Sequence, residues 1–315
     1  MENVTIHNIC RICGNKRLTP VLHLGAQPPA NNFLTKRELS GPETRFPLVV
    51  QFCEQCSLLS LRHVVDPRVL FKNYHYETGA SAPLVRHFQD EARMMKTNYG
   101  LGAGDFVVEF GSNDGILLSE LTGTCRVLGV DPARNLSLLA KKRGVETLTA
   151  FFGENTAKRI QSTYGQARII VANNVFAHIH DIHDVMRGVV SLLTDDGVFV
   201  SESHWVGNLT SEGGFDQIYH EHLSYYSLHA LLALASEHNL IITDVELVPI
   251  HGASLRVYMQ TKGKPSAAVT RLLAREKNLG LTTKHIFQDF GKKVRKNRTE
   301  VRAVLSRLRR GHKTI

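Results

Sequence analysis

Val107-Val108-Glu109-Phe110-Gly111-Ser112-Asn113-Asp114-Gly115 is the stretch that decides how this chain folds. A short apolar run carries an acid near its end, a Gly-x3-Gly turn follows, and Ile116-Leu117-Leu118 opens the next segment. That pattern reads as a buried strand, a tight turn and a helix start. The glycines let the backbone come close to a ligand. Neither GxGxxG nor the Gly-Lys-Ser/Thr of a P-loop is present, so plain phosphate cradling fits less well. Twenty residues beyond Gly111, the run Val127-Leu128-Gly129-Val130 ends in Asp131. An acid at that strand end is placed to accept hydrogen bonds from both ribose hydroxyls of a nucleoside. A third apolar run ends in Ala172-Asn173-Asn174.

Working outward, strands are expected at 106–110, 127–130, 169–172, 197–201, 241–248 and 254–260, with helices near 83–98, 136–143, 185–193 and 228–238. Alternating β and α units of this length predict an α/β fold with a Rossmann-like, doubly wound sheet. An acid before Gly-x3-Gly, a second acid one βα unit later and a polar third strand end form the order of an S-adenosyl-L-methionine-dependent methyltransferase. A nucleotide-binding domain of another kind is the alternative. The expected cofactor contacts are Glu109, Gly111, Asn113, Asp114, Gly115, Asp131 and Asn173.

Upstream, Cys10-Arg-Ile-Cys13-Gly14 and Cys53-Glu-Gln-Cys56 form two CxxC pairs 39 residues apart. Two such knuckles aim four thiolates at one centre, which suits a structural Zn2+ with no open position for chemistry. Gly14 fits the tight turn after the first pair. The competing reading is two pairs of free buried thiols. Three domains follow: a small zinc-binding domain at 1–75, a methyltransferase domain at 76–262 and a basic helical segment at 263–315.

At 315 residues the chain can bury a large core, and no apolar run approaches the roughly 20 residues a membrane span needs. MENVTIHNIC lacks the basic-then-apolar form of a signal peptide, so a cytoplasmic protein is expected. The net charge of +9 is uneven: residues 262–315 hold 16 Lys/Arg against three Asp/Glu. Such a tail suits nucleic acid, a membrane surface or a phosphorylated substrate, or is simply a solvated helix face. Val301, Val304, Leu305 and Leu308 lie at helical spacing there and are expected to pack against something.

Taken in order, CRICG (10–14), CEQC (53–56), EFGSNDG (109–115), NNVFAHIHD (173–181), GGFDQIYHEHLSYYS (213–227) and HGASLRVY (251–258) resemble the sugar C-methyltransferases that act on nucleotide-linked deoxysugars. The resemblance implies a nucleotide-diphosphate 4-keto sugar as substrate and methylation at carbon, with C3 expected, through an enolate. It implies catalytic roles for Tyr76, His178, Tyr219, Glu221 and His222. His222 is the expected base, because histidine titrates nearest the working pH. Tyr219, Glu221 and Tyr76 would hold the ketone, orient the base or bind the enolate. Family members continue into a further C-terminal domain, which is expected to be lacking here. Two other functions compete: an RNA methyltransferase with a zinc knuckle, and an inactive or truncated interaction module. Region 8–60 is not markedly basic and the tail has few aromatics, so neither a nucleic-acid nor a membrane partner is expected.

Overall fold

The computed structural model describes residues 3–31, 33–70, 78–250 and 252–311. The chain begins with strands β1 (Val4–Ile6), β2 (Leu18–Gln27), β3 (Phe46–Cys53), β4 (Leu59–Leu61) and β5 (His63–Val65), then the short helix α1 (Pro67–Leu70) and the long α2 (Ala82–Tyr99). The central part alternates: β6 (Phe106–Phe110), α3 (Ile116–Ser119), β7 (Arg126–Val130), α4 (Arg134–Lys142), β8 (Thr147–Leu148), α5 (Glu154–Tyr164), β9 (Ala167–Asn173), α6 (Ile182–Leu192) and β10 (Leu193–His204). It closes with α7 (Val206–Ser211), β11 (Ser224–Tyr225), α8 (Leu228–Glu237), β12 (Ile241–Val248), β13 (Ser254–Gln260), α9 (Ala267–Asn278) and α10 (Lys284–Arg310).

A seven-stranded sheet in the order β12-β13-β10-β9-β6-β7-β8 is the centre of the molecule. β10, β9, β6, β7 and β8 run parallel, β13 is antiparallel to β10, and β12, antiparallel to β13, runs in the direction of the first five. This is the doubly wound α/β sheet that the strand–helix alternation implies. Strand order reverses between β6 and β9, which places a crevice at their carboxyl ends. β6 is buried along its whole length, yet its residues divide between two cores. Phe106, Val108 and Phe110 join the core under α5, α6 and α8. Val107 joins the opposite core under α2 and α3. The two-residue repeat of a strand imposes that division, and burial on both faces explains why the strand is a continuous apolar run. Asp181 and Ser227 cap α6 and α8 through Asp184 N and Ala230 N, so those helices start where a side-chain oxygen can replace a missing carbonyl.

The N-terminal lobe is not self-contained. Its four-stranded antiparallel sheet has the order β11-β4-β3-β2, and β11 comes from the YHEHLSYY stretch far downstream. Ser224 pairs with Ser60 and Tyr225 with Leu59. The first half of α10 packs on the same lobe: Phe287 lies 5.1 Å from Phe52 between ring centroids. A Cβ at Gly291 would sit 2.4 Å from the Val21 carbonyl oxygen, so only glycine lets the helix approach this closely. The second half of α10 is bare: Val301, Val304, Leu305 and Leu308 are 47, 43, 40 and 36% exposed. The expected apolar stripe therefore exists, but it covers nothing among the described residues. No helix among those residues is long and apolar enough to cross a membrane.

Candidate active site and metal centre

The turn after β6 is shaped by its glycines and by Asn113. Gly111 has φ +66°, and a Cβ there would fall 2.7 Å from the Val175 side chain, so glycine is required on both counts. Gly115 has φ +75°, and Asn113, at φ +51°, takes the same left-handed region. Asp131 accepts from Asn113 N at 2.9 Å and from Ala133 N at 2.8 Å, which ties the end of β7 to the turn. Burial pushes the Asp131 carboxyl up, and those two backbone donors pull it part of the way back. Glu109 is buried with Oε2 lacking a partner. Burial first, then the like charges of Glu91, Asp131 and Asp114, hold its carboxyl well above the usual range.

Asn113 and Asp114 have structural duties. Asn113 Oδ1 accepts from Thr78 N at 3.0 Å. Asp114 Oδ2 accepts from Gly79 N at 3.0 Å and from Arg143 at 3.2 Å. These bonds lash the chain at 78–79 to the turn. Tyr76, two residues before Thr78, lies outside the described residues. Asn173 ends β9, where its Nδ2 donates to Glu91 Oε2 at 2.9 Å.

The segment 214–226 brings Tyr219 and His222 together. His222 N donates to Tyr219 O at 3.1 Å, and this turn sets the two side chains beside each other. His222 Nδ1 lies 2.9 Å from the Gln217 carbonyl, which can only accept, so Nδ1 carries the hydrogen. Nε2 is then the basic nitrogen, and Tyr219 OH, 2.9 Å away, donates to it. The His178 ring is 4.9 Å from the His222 ring, and that of His204 is 5.1 Å away. Burial first, then the His204 charge, lowers the His178 pKa to about 4. Leu223 N donates to Ala177 O at 2.7 Å, so the dyad sits against the turn that follows β9.

Glu221 faces the other way. It is buried, accepts from Asn31 Nδ2 at 2.8 Å and is raised by burial. His220 Nε2 is 3.1 Å from the Phe46 carbonyl. The outer and inner members of the YHEH run thus serve two neighbours: Tyr219 and His222 meet each other and His178, while His220 and Glu221 clasp the N-terminal lobe. His204 escaped the sequence reading, which ended its strand at Ser201; its place at the carboxyl end of a parallel strand was the available signal. A cavity of about 230 Å³ opens beside His204 and Tyr225, lined also by Trp205, Asn208, Asp216 and Gln217.

The four cysteines form one cluster. Cys10 and Cys56 sulfurs are 3.5 Å apart, those of Cys13 and Cys53 are 3.6 Å apart, and all four lie within 4.8 Å of one another. With metal–sulfur bonds of about 2.3 Å, a tetrahedral zinc site has sulfurs roughly 3.8 Å apart, so the donor set fits. The knuckles share one turn: Gly14 N donates to Cys10 O and Ser57 N to Cys53 O, at φ +66° and +62°. Hydrogen bonding among the sulfurs lowers Cys53 and raises Cys10 and Cys56. A dication removes that competition by taking all four as thiolates.

Comparison with known proteins agrees with this architecture. Residues 10–71 match the family described as "Putative zinc binding domain", 86–245 the "Methyltransferase domain", and 249–315 the "C-methyltransferase C-terminal domain". The last match corrects the expectation that the C-terminal domain is lacking: β13, α9 and α10 fall within it. The C-methyltransferase NovU of Streptomyces niveus is 37% identical over 311 residues, which is 97% of this chain and 74% of NovU. Among solved structures, an S-adenosylmethionine-dependent methyltransferase from Clostridium acetobutylicum aligns at a TM-score of 0.45 with 12% identity, over 62% of this chain and 96% of that one.

Proposed function

Because the chain belongs to the C-methyltransferases that join a zinc-binding, a methyltransferase and a C-terminal domain, we propose that it methylates C3 of a nucleotide-diphosphate 4-keto deoxysugar. It is an S-adenosylmethionine-dependent enzyme with a zinc-binding domain. The cofactor supplies an electrophilic methyl group on a sulfonium. In this reading the Gly111–Gly115 turn and Asp131 hold it, with Glu109 and Asn173 beside them.

The observation that carries the proposal is the Tyr219–His222 dyad. Alkylating carbon requires a carbanion equivalent, and a ketone makes the neighbouring C–H acidic enough for a side-chain base. A substrate ketone would draw the Tyr219 hydroxyl to its oxygen and free His222 Nε2 to take the C3 proton. The resulting imidazolium keeps its Nδ1–H on the Gln217 carbonyl, and Tyr219 donates to the enolate oxygen. The enolate carbon would then be the nucleophile for the methyl group that the bound cofactor would supply, its sulfur leaving as a neutral thioether. His178, half-buried and neutral beside His222, leaves the proton on His222. The cavity at His204 and Tyr225 is where the sugar ring would lie. Tyr76 belongs to this set through its motif position, and Glu221 acts by seating the YHEH turn on the N-terminal lobe.

Incubation with thymidine-diphosphate 4-keto-6-deoxysugars and S-[methyl-D3]-adenosylmethionine, read by mass spectrometry, tests this function. A trideuteromethyl group on the sugar ring carbon is the expected product. Transfer to oxygen, or no transfer to any 4-keto sugar while another carbon acid is methylated, would overturn it.

A further inference from the structure

A second concentration of buried charge lies where α2 crosses the carboxyl half of the sheet. Arg256, from HGASLRVY, donates to Glu202 Oε2 through Nε at 3.0 Å and Nη2 at 2.7 Å. His87 Nε2 is 3.0 Å from both Glu202 oxygens. Arg256 is also ion-paired with Glu91 Oε2 at 3.3 Å. His87, Glu91 and Glu202 are close enough together to ligate a metal. The Arg256 guanidinium already supplies the positive charge there, so this is a closed ionic network and not a metal centre.

One branch of the network leads to the cofactor crevice. Glu91 Oε2 accepts from Asn173 Nδ2 at 2.9 Å. Arg256 beside the same oxygen keeps it an acceptor, so Glu91 holds the nitrogen end of the Asn173 amide and turns Oδ1 the opposite way. Asn173 Oδ1 is buried and has no hydrogen-bond partner among the described residues. Asn173 stands two residues past Val171 on β9, as Gly111 stands two past its partner Glu109 on β6. Glu109 Oε2 at this edge is buried and unpartnered as well. Two desolvated acceptors without donors favour a cationic donor between the strand ends.

We propose that Glu91 is a positioning residue of the cofactor site: anchored by Arg256, it orients Asn173 so that Oδ1 accepts from the ammonium group of the cofactor's amino-acid part. This rests on the reading of Asn173 as a cofactor contact. Burial pushes the Glu91 carboxyl up to about 7 against the pull of Arg256, so a nearby cation stabilises Glu91 as it stabilises Glu109.

Glu91→Gln tests the idea, since a glutamine can meet Asn173 in either orientation. Binding of S-adenosylhomocysteine, which has the amino-acid part, is compared by calorimetry with binding of 5′-methylthioadenosine, which lacks it. The expected result is about a tenfold loss for the first, in line with one charge-assisted hydrogen bond, and none for the second. Glu91→Asp keeps the charge beside Arg256, shortens the reach and should give the same split. The double variant with Asn173→Ala should bind S-adenosylhomocysteine no more weakly than Asn173→Ala alone. Equal losses for both probes would show that Glu91 only packs α2, and would overturn the proposal. Loss in Asn173→Ala with no loss in either Glu91 variant would overturn it while leaving Asn173 in the site. An Asn173→Ala variant with unchanged affinity would remove Asn173 itself from the cofactor site.

Discussion

Tyr219 donates its phenolic hydrogen to Nε2 of His222 at 2.9 Å because Nδ1 of the same ring is committed to the Gln217 carbonyl, also at 2.9 Å. One backbone oxygen thus selects the tautomer, and the tautomer leaves the lone pair on Nε2, facing Tyr219.

Tyr219→Phe should lower kcat about 100-fold with little change in KM for the sugar, the scale of losing one donor to a developing oxyanion. Steady-state kinetics check this. A change confined to KM would make Tyr219 a binding group only.

Asp131→Ala should weaken S-adenosylmethionine by about 1–3 kcal/mol, the cost of removing hydrogen bonds to a charged acceptor. Part of the loss would come from the turn itself, since Asp131 receives Asn113 N and Ala133 N. Titration calorimetry of the variant measures it, and unchanged affinity would remove Asp131 from the site.

Freshly purified protein should contain close to one zinc per chain by elemental analysis, and Cys10→Ser should lose it and melt at lower temperature. The structure adds a consequence. The lobe that carries the cysteines also holds β11 and Glu221, so chelating the metal should reduce activity along with stability. Activity unchanged at full chelation would show that the lobe and the dyad are uncoupled.

Acid should destabilise the fold partly through His178, whose pKa falls from 6.5 to about 4 in the native state. Between those values the unfolded chain takes a proton that the folded chain refuses. This stabilisation is complete above 6.5 and is lost as the pH falls toward 4. Glu91, raised to about 7, contributes an opposite slope over part of the same range. The informative quantity is therefore the stability difference between wild type and His178→Asn in urea. That difference should shrink from pH 7 to pH 4.5, and a constant difference would contradict a His178 held neutral in the folded chain.

Much of the fold was legible because its signals are local. The glycine turn after Glu109, the CxxC pairs and the apolar strand runs each declare themselves within about ten residues. α5 did not: it is largely polar, with only Ala157 and Ile160 buried. β8 is two residues long, too short for any period to show. The pairing of β11 with β4 joins residues more than 160 positions apart, and nothing local marks it. The same holds at the site. Tyr219 and His222 could be named from their motif, whereas Glu91 and His204 become visible only when α2 and β10 are laid beside the other strand ends. In the tail, Phe287, Phe290 and Val294 are buried, while the more regular stripe from Val301 to Leu308 stays exposed. Periodicity shows which face of a helix is apolar, and a neighbour must still be there to cover it.

The central claim, an enolate made by His222 next to a sugar ketone, is tested most directly by proton exchange. Thymidine-diphosphate 4-keto-6-deoxysugar is held in deuterium oxide with the enzyme and S-adenosylhomocysteine, and the C3 proton is followed by NMR. Wild-type protein should wash the C3 proton out without methylating the sugar. His222→Asn should leave it in place while binding S-adenosylhomocysteine as tightly as before. Full exchange at C3 in the His222→Asn variant would contradict the account and place the base elsewhere.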